Sequence, residues 1–225
     1  MRLHTRTAAL AGFILGLAPI INAVPNVTAV PLLIDCSPYP AYNPATSQAG
    51  PFTVIADSTG SSIDGLSVSA ESFTNNGVDR YGFITLPKQN PFATAPNITL
   101  RCLSHTLQAR IPSGPFGNAT TWVDLAIAPQ ENWQASLSFG LTSVETPGIP
   151  VEPYAHYING TRLPGVFLGA KGTTKWFFKY NWGGNAGEYY LLRLMSGVWG
   201  EGGMRKRQQL PMPDDRNWEG FLRVA

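Results

Sequence analysis

Apolar and polar positions along this chain alternate in short runs of period two, and turn-forming residues bound nearly every run. Phe52–Ala56 is followed by Ser58-Thr59-Gly60 and Asp64-Gly65. Leu66–Ala70 continues toward Phe73, and Asn75-Asn76-Gly77 then offers a hairpin turn into Arg80–Leu86. The clearest alternation is Asn97–Ser104, where Asn97, Thr99 and Arg101 point one way and Ile98, Leu100 and Cys102 the other. Trp122–Ala128 and Trp133–Leu141 read as a further pair across Pro129-Gln130-Glu131-Asn132. In the second of these, Trp133, Ala135, Leu137 and Phe139 share a face opposite Gln134, Ser136 and Ser138. Residues 142–165, with Pro147, Pro150, Pro153 and Pro164, read as a long irregular crossing. Thr173–Trp182 and Glu188–Ser196 read as a last hairpin around Gly183-Gly184-Asn185-Ala186-Gly187. Beyond the N-terminal segment no stretch keeps helical periodicity for three turns. The pattern predicts an all-β fold, an antiparallel β-sandwich or jelly-roll-like single domain.

The two ends break this pattern. Arg2, His4 and Arg6 precede an apolar run from Ala8 to Ile21, shorter than the roughly 20 apolar residues that a membrane span needs. A basic start, an apolar centre and a small residue at Ala23 predict a secretory signal peptide over 1–23, cut before Val24. Residues 24–50 read as a Pro-rich N-terminal arm in which only Val30–Asp35 resembles a strand, and 51–199 as the β-sandwich-like domain. Residues 200–225 read as a Gly-rich and basic tail, with a dibasic processing site after Arg207 as one reading and a solvated charge run as the other. If that site is cut, Gln208–Ala225 leaves; if not, Trp218–Val224 adds an edge strand.

Secretion changes how charge and cysteine are read. The chain of 225 residues has 16 Lys+Arg and 14 Asp+Glu; without Arg2 and Arg6 the mature chain holds 14 of each. A neutral chain lacks the cationic field that drives phosphate binding, which argues against nucleic acid as partner. Charged residues make up 13% and sit beside 23 Gly and 19 Pro, a composition of turns and short strands. Four sequons, at Asn26, Asn97, Asn118 and Asn159, predict surface N-glycosylation. Cys36 and Cys102, the only two cysteines, are expected to form a disulfide in an oxidising compartment. Such a bridge pins the arm to the strand carrying Asn97–Cys102.

Candidate chemistry is sparse. Trp176, Phe178, Tyr180 and Trp182 recur at period two, opposite Lys175, Phe177, Lys179 and Asn181. Such a row either builds a core or lays a platform against sugar rings, and Trp176, Tyr180 and Trp182 are the candidate binding residues on the second reading. No catalytic residue is assigned; the candidates are His156 as a base and the loop-adjacent carboxylates Glu152 and Glu188, with Glu131 and Glu145 also near loops. His105 reads as a polar turn residue at a strand end. The chain has no Gly-x-Ser-x-Gly elbow, no His-Glu-x-x-His and no phosphate-cradling loop, so neither metal nor cofactor is expected.

The stretch Phe52-Thr-Val-Ile-Ala-Asp-Ser-Thr-Gly-Ser-Ser-Ile-Asp-Gly-Leu-Ser-Val-Ser-Ala70 resembles small secreted fungal extracellular or cell-wall-associated proteins of unknown function. In them a strand ending in small polar residues leads through an Ile-Asp-Gly turn to a second strand. The resemblance implies a β-rich extracellular domain and carries over no catalytic residue. The expected function is that of a secreted glycoprotein of the extracellular space or cell wall, a non-enzymatic binding or structural protein. Its expected partner is a polysaccharide or an extracellular protein. The alternative is a secreted carbohydrate-active hydrolase working through loop carboxylates.

Overall fold

Period-two alternation builds a sheet with one dry and one wet face, and two such sheets hide their dry faces against each other. The computed structural model describes residues 24–74, 80–87, 97–113, 119–129, 135–183, 187–195 and 217–225. Among the described residues, regular structure consists of strands alone. In chain order they are β1 (Thr28–Pro31), β2 (Gln48–Phe52), β3 (Val54–Asp57), β4 (Ser69–Phe73), β5 (Tyr81–Pro87), β6 (Thr99–Leu103), β7 (Thr106–Ser113) and β8 (Ala119–Asp124). There follow β9 (Ala126–Ile127), β10 (Leu137–Phe139), β11 (Ile149–Pro150), β12 (Glu152–Ile158), β13 (Thr161–Arg162), β14 (Phe167–Gly169), β15 (Trp176–Gly183), β16 (Gly187–Leu194) and β17 (Trp218–Val224). The signal-peptide segment, the Asn75–Gly77 turn, Asn118, Glu131, Trp133 and the basic stretch ending at Arg207 lie outside the described residues.

The strands form two antiparallel sheets packed as an open sandwich. The small sheet runs β2-β6-β7-β8. The large one runs β1-β12-β14-β17-β15-β16-β5-β10-β9-β11, with β13 on β12, β3 on β17 and β4 on β5. Leu100, Cys102, Ala109 and Ile111 from the small sheet share one core with Ile84, Trp176, Phe178 and Leu192 from the large one. The alternation at Asn97–Ser104 takes the expected phase: Ile98, Leu100 and Cys102 are buried while Asn97 is exposed. Cys36 and Cys102 are bonded, with a Cα–Cα separation of 5.4 Å, so the arm is tied to β6 as expected.

Several local expectations change. The arm is less irregular than its prolines suggest: Thr28–Pro31 adds β1 to β12, and Gln48–Phe52 adds β2 to β6. The crossing at 142–165 contains β12, which is buried on both faces from Pro153 to His156 and so shows no alternation. Pro153 fits because β1, its neighbour on that side, ends at Pro31, and the Pro153 carbonyl still accepts from the Leu32 N–H at 2.9 Å. Ser136 and Ser138, placed on a wet face by the alternation, are buried, and the Ser138 hydroxyl donates to the Ala126 carbonyl at 3.2 Å. Trp218–Val224 does form a strand, but a central one: β17 lies between β14 and β15 and also pairs with β3. His105 sits in the β6–β7 turn at φ 71°, as its position predicts.

Candidate functional site

β15 and β16 pair in full register from Trp176↔Leu194 to Gly183↔Gly187, and Gly187 takes the positive φ (70°) that helps close the hairpin. This register sorts the aromatic row by environment. Trp176 and Phe178 are fully buried, Tyr180 is half-buried, and Trp182 is 70% exposed. The cause is the reach of the neighbouring strands. β17 pairs with β15 only from Gly220 to Trp218, opposite Trp176 to Phe178. Beyond that, the Tyr180 N–H is held by the Asn217 side-chain oxygen at 2.9 Å. On the other flank the described part of β5 pairs with β16 from Leu191 to Tyr189.

Trp176 therefore leaves the set of candidate binding residues. Its indole N–H donates to the Leu168 carbonyl at 2.8 Å, inside the core, where no ligand reaches it. Tyr180 and Trp182 remain, and the register adds Glu188, directly opposite Trp182. The Tyr180 hydroxyl donates to Glu188 Oε1 at 2.6 Å, and the Tyr180 ring meets Tyr190 edge-on with centroids 5.9 Å apart. The hairpin end thus combines a large exposed indole with a carboxylate held in place by a phenol. That pairing offers an apolar face for sugar C–H groups beside an acceptor for hydroxyls. On the opposite face the Asn181 side-chain amide donates to the Tyr189 hydroxyl. The pairing of Glu188 with Trp182 follows from centring the turn between Gly183 and Gly187, a signal present in the sequence although it names Glu188 only as loop-adjacent.

The catalytic candidates do not assemble. His156 is fully buried, stacked on Phe167 with centroids 3.7 Å apart and edge-on to Phe221 at 4.5 Å. Its Nε2 is 2.7 Å from the Thr174 hydroxyl, and its Nδ1 has no hydrogen-bond partner among the described residues. Burial holds its pKa down at about 4, against a weak upward pull from Asp57. A histidine closed off from solvent by two phenyl rings is a core residue and cannot serve as a base for an external substrate. Glu152 accepts from the Tyr154 hydroxyl and, at 3.2 Å, from the Lys171 N–H, so it braces the turn that follows β14. Burial, followed by the hydrogen bond to Glu152, pushes the Tyr154 phenol up to about 12. Glu152 and Glu188 lie on β12 and β16, with β14, β17 and β15 between them. Four strand spacings put them roughly 19 Å apart along the sheet, well beyond the separation of a hydrolytic carboxylate pair.

A cleft of about 400 Å³ separates Val24–Ala29 from Gly172–Lys175, with Phe221 at its side, and its described lining holds Lys175 but no carboxylate. Among the described residues no His, Cys, Asp and Glu side chains gather as a metal site, and no helix is long and apolar enough to cross a membrane. Of the sequons, Asn26, Asn97 and Asn159 are exposed, and Asn159 occupies the tight β12–β13 turn. No known family model matches the chain, and no curated protein matches it.

Proposed function

We propose that this chain is a secreted, N-glycosylated protein of the extracellular space or cell wall that binds polysaccharide without catalysis through the end of the β15–β16 hairpin. The observation that carries the reading is Trp182, 70% exposed beside Glu188 on a strand whose other tryptophan is wholly buried. The exposed indole offers a flat apolar face to sugar C–H groups, and the phenol-braced carboxylate beside it supplies an oriented acceptor. The signal-peptide pattern and the exposed sequons at Asn26, Asn97 and Asn159 support the extracellular setting. So does the Cys36–Cys102 bridge.

The test is a pull-down of the glycosylated protein on insoluble chitin, β-glucan and cellulose, alongside Trp182→Ala. Retention of the wild type on at least one polymer, lost in the variant, is the expected result. Absence of retention on all three overturns polysaccharide binding and leaves an extracellular protein as the partner.

A further inference from the structure

The outer face of the small sheet is wet, as one face of an antiparallel sheet usually is, but its side chains are tied to one another rather than to solvent alone. The cross-strand registers set them in rows. Thr99 faces Arg110, which faces Trp122; Arg101 faces Gln108, which faces Asp124. Arg101 Nε donates to Gln108 Oε1 at 2.7 Å, and the Gln108 amide donates to Asp124 Oδ1 at 2.7 Å. The Arg101 guanidinium lies over the Trp122 ring, 4.3 Å from its centroid. One row along, Arg110 Nε donates to the Thr120 hydroxyl at 2.8 Å. The result is a strip of side chains that hold one another in place, so a second surface laid on it loses little side-chain entropy.

One feature of the strip points to its occupant. Asn97, Thr99 and Arg101 share the outward phase of β6, and Asn97 is exposed at the end where β6 begins. Thr99, the hydroxyl residue of that sequon, stands beside Arg110 in the same row as Trp122. A sugar chain rooted at Asn97 therefore starts on this face and, running along it, meets Arg110 first. We infer that the outer face of the four-stranded sheet is the docking surface for the chain's own N-linked glycan at Asn97. Its N-acetyl and hydroxyl oxygens accept from the Arg110 guanidinium, and its C–H faces lie against the Trp122–Arg101 stack. This rests on the proposed N-glycosylation and goes beyond it: the glycan is part of the folded surface instead of a free antenna. Tethering makes so weak a contact effective, because the covalent link replaces encounter from solution by a local concentration in the millimolar range or above, about what short flexible linkers provide.

The experiment uses the full chain made in a glycosylating host, with Arg110→Ala, Trp122→Ala and wild type compared. Intact mass and glycopeptide mapping first establish occupancy at Asn97 and Asn159. The rate at which an amidase releases each glycan from the native protein is then measured, with the glycan in the exposed β12–β13 turn at Asn159 as internal reference. The expected result is release from Asn97 roughly fivefold slower than from Asn159, the protection one ring or guanidinium contact confers. Arg110→Ala, at an exposed position, is expected to abolish that difference while leaving Asn159 unchanged. Arg110→Ala alone suffices if Trp122→Ala does not fold. Equal rates at the two sites, or a difference that survives Arg110→Ala, overturn the docking and leave the glycoprotein reading intact. Finding no sugar at Asn97 overturns both at that sequon. Retention on polysaccharide that depends on Arg110 instead of Trp182 overturns the docking as well, since the strip then takes an external chain.

Discussion

Trp176 and Trp182 stand on the same face of the same strand and meet opposite surroundings. Trp176 has β16 on one side and β17 on the other, is fully buried, and spends its N–H on a backbone carbonyl. Among the described residues Trp182 has β16 as its one strand neighbour, opposite Glu188, and is 70% exposed. Residue type, strand and phase are identical, so the difference lies in where the neighbouring strands stop. One continuous aromatic row therefore serves as core at one end and as surface at the other. The turnover falls at Tyr180, where backbone pairing with β17 gives way to a bond from its N–H to the Asn217 side chain.

The two tryptophans are expected to respond very differently to truncation. Trp176→Ala removes a fully buried indole and leaves its cavity, and is expected to cost about 3–5 kcal/mol in chemical denaturation. A loss below about 1 kcal/mol would show that the buried end is not packed as described.

Acid probes a second part of the core, the small cluster of Tyr154, Phe167 and Phe221 against which His156 packs. His156 packs on β14 through Phe167 and on β17 through Phe221; its charged surroundings are Asp57 of β3, which is paired to Arg223. Its folded pKa, about 4, lies below the ordinary 6.5, so the unfolded chain takes up the proton first as pH falls. Stability from the neutral ring is therefore complete above pH 6.5 and lost between there and pH 4. The expected loss is about 3 kcal/mol. Denaturation of the wild type and His156→Gln at several pH values checks this: the variant's curve should be flatter over that window. Parallel curves would sink the assignment.

At the turnover itself, Tyr180→Phe removes the hydroxyl that fixes Glu188 and is expected to cost about 1 kcal/mol. Polymer retention should fall in the same variant, and unchanged retention would separate Glu188 from the binding face. The smallest stability effect belongs to Trp182→Ala, within about 0.5 kcal/mol as for other exposed positions, although the same change is expected to remove polysaccharide retention. A large destabilisation there would mean that the indole is structural after all.

These features were unevenly legible in the amino-acid order. The sandwich class, the phase of Asn97–Cys102 and the β15–β16 hairpin follow from local periodicity and turn residues, the Cys36–Cys102 bridge from a lone pair of cysteines, and the structure has them all. β7 is not announced in the sequence because its connection to β6 turns on Ser104 and His105, both at positive φ, without glycine or proline. Nor is β12, because strands covered on both faces do not alternate, and its prolines suggest a break. At the candidate site the aromatic row was plain, but its division into core and surface was not. That division depends on how far β17, a strand from another part of the sequence, runs along β15. His156 shows the same limit: nothing local distinguishes a histidine between two phenyl rings from one on a loop.

The place of β17 has a consequence for how the molecule is made. The strand that joins β14 to β15 and seals β3 into the large sheet is also the last of the described strands to leave the ribosome, and its Arg223–Asp57 pair spans 166 residues. Until it emerges, β3, β14 and β15 each carry an unpaired edge, and the half-sheets on either side have no seam to share. Pairings across so long a stretch of chain form slowly. The nascent protein must therefore wait, half-zipped, for its closing strand, and any factor that shelters open strand edges acts during that interval.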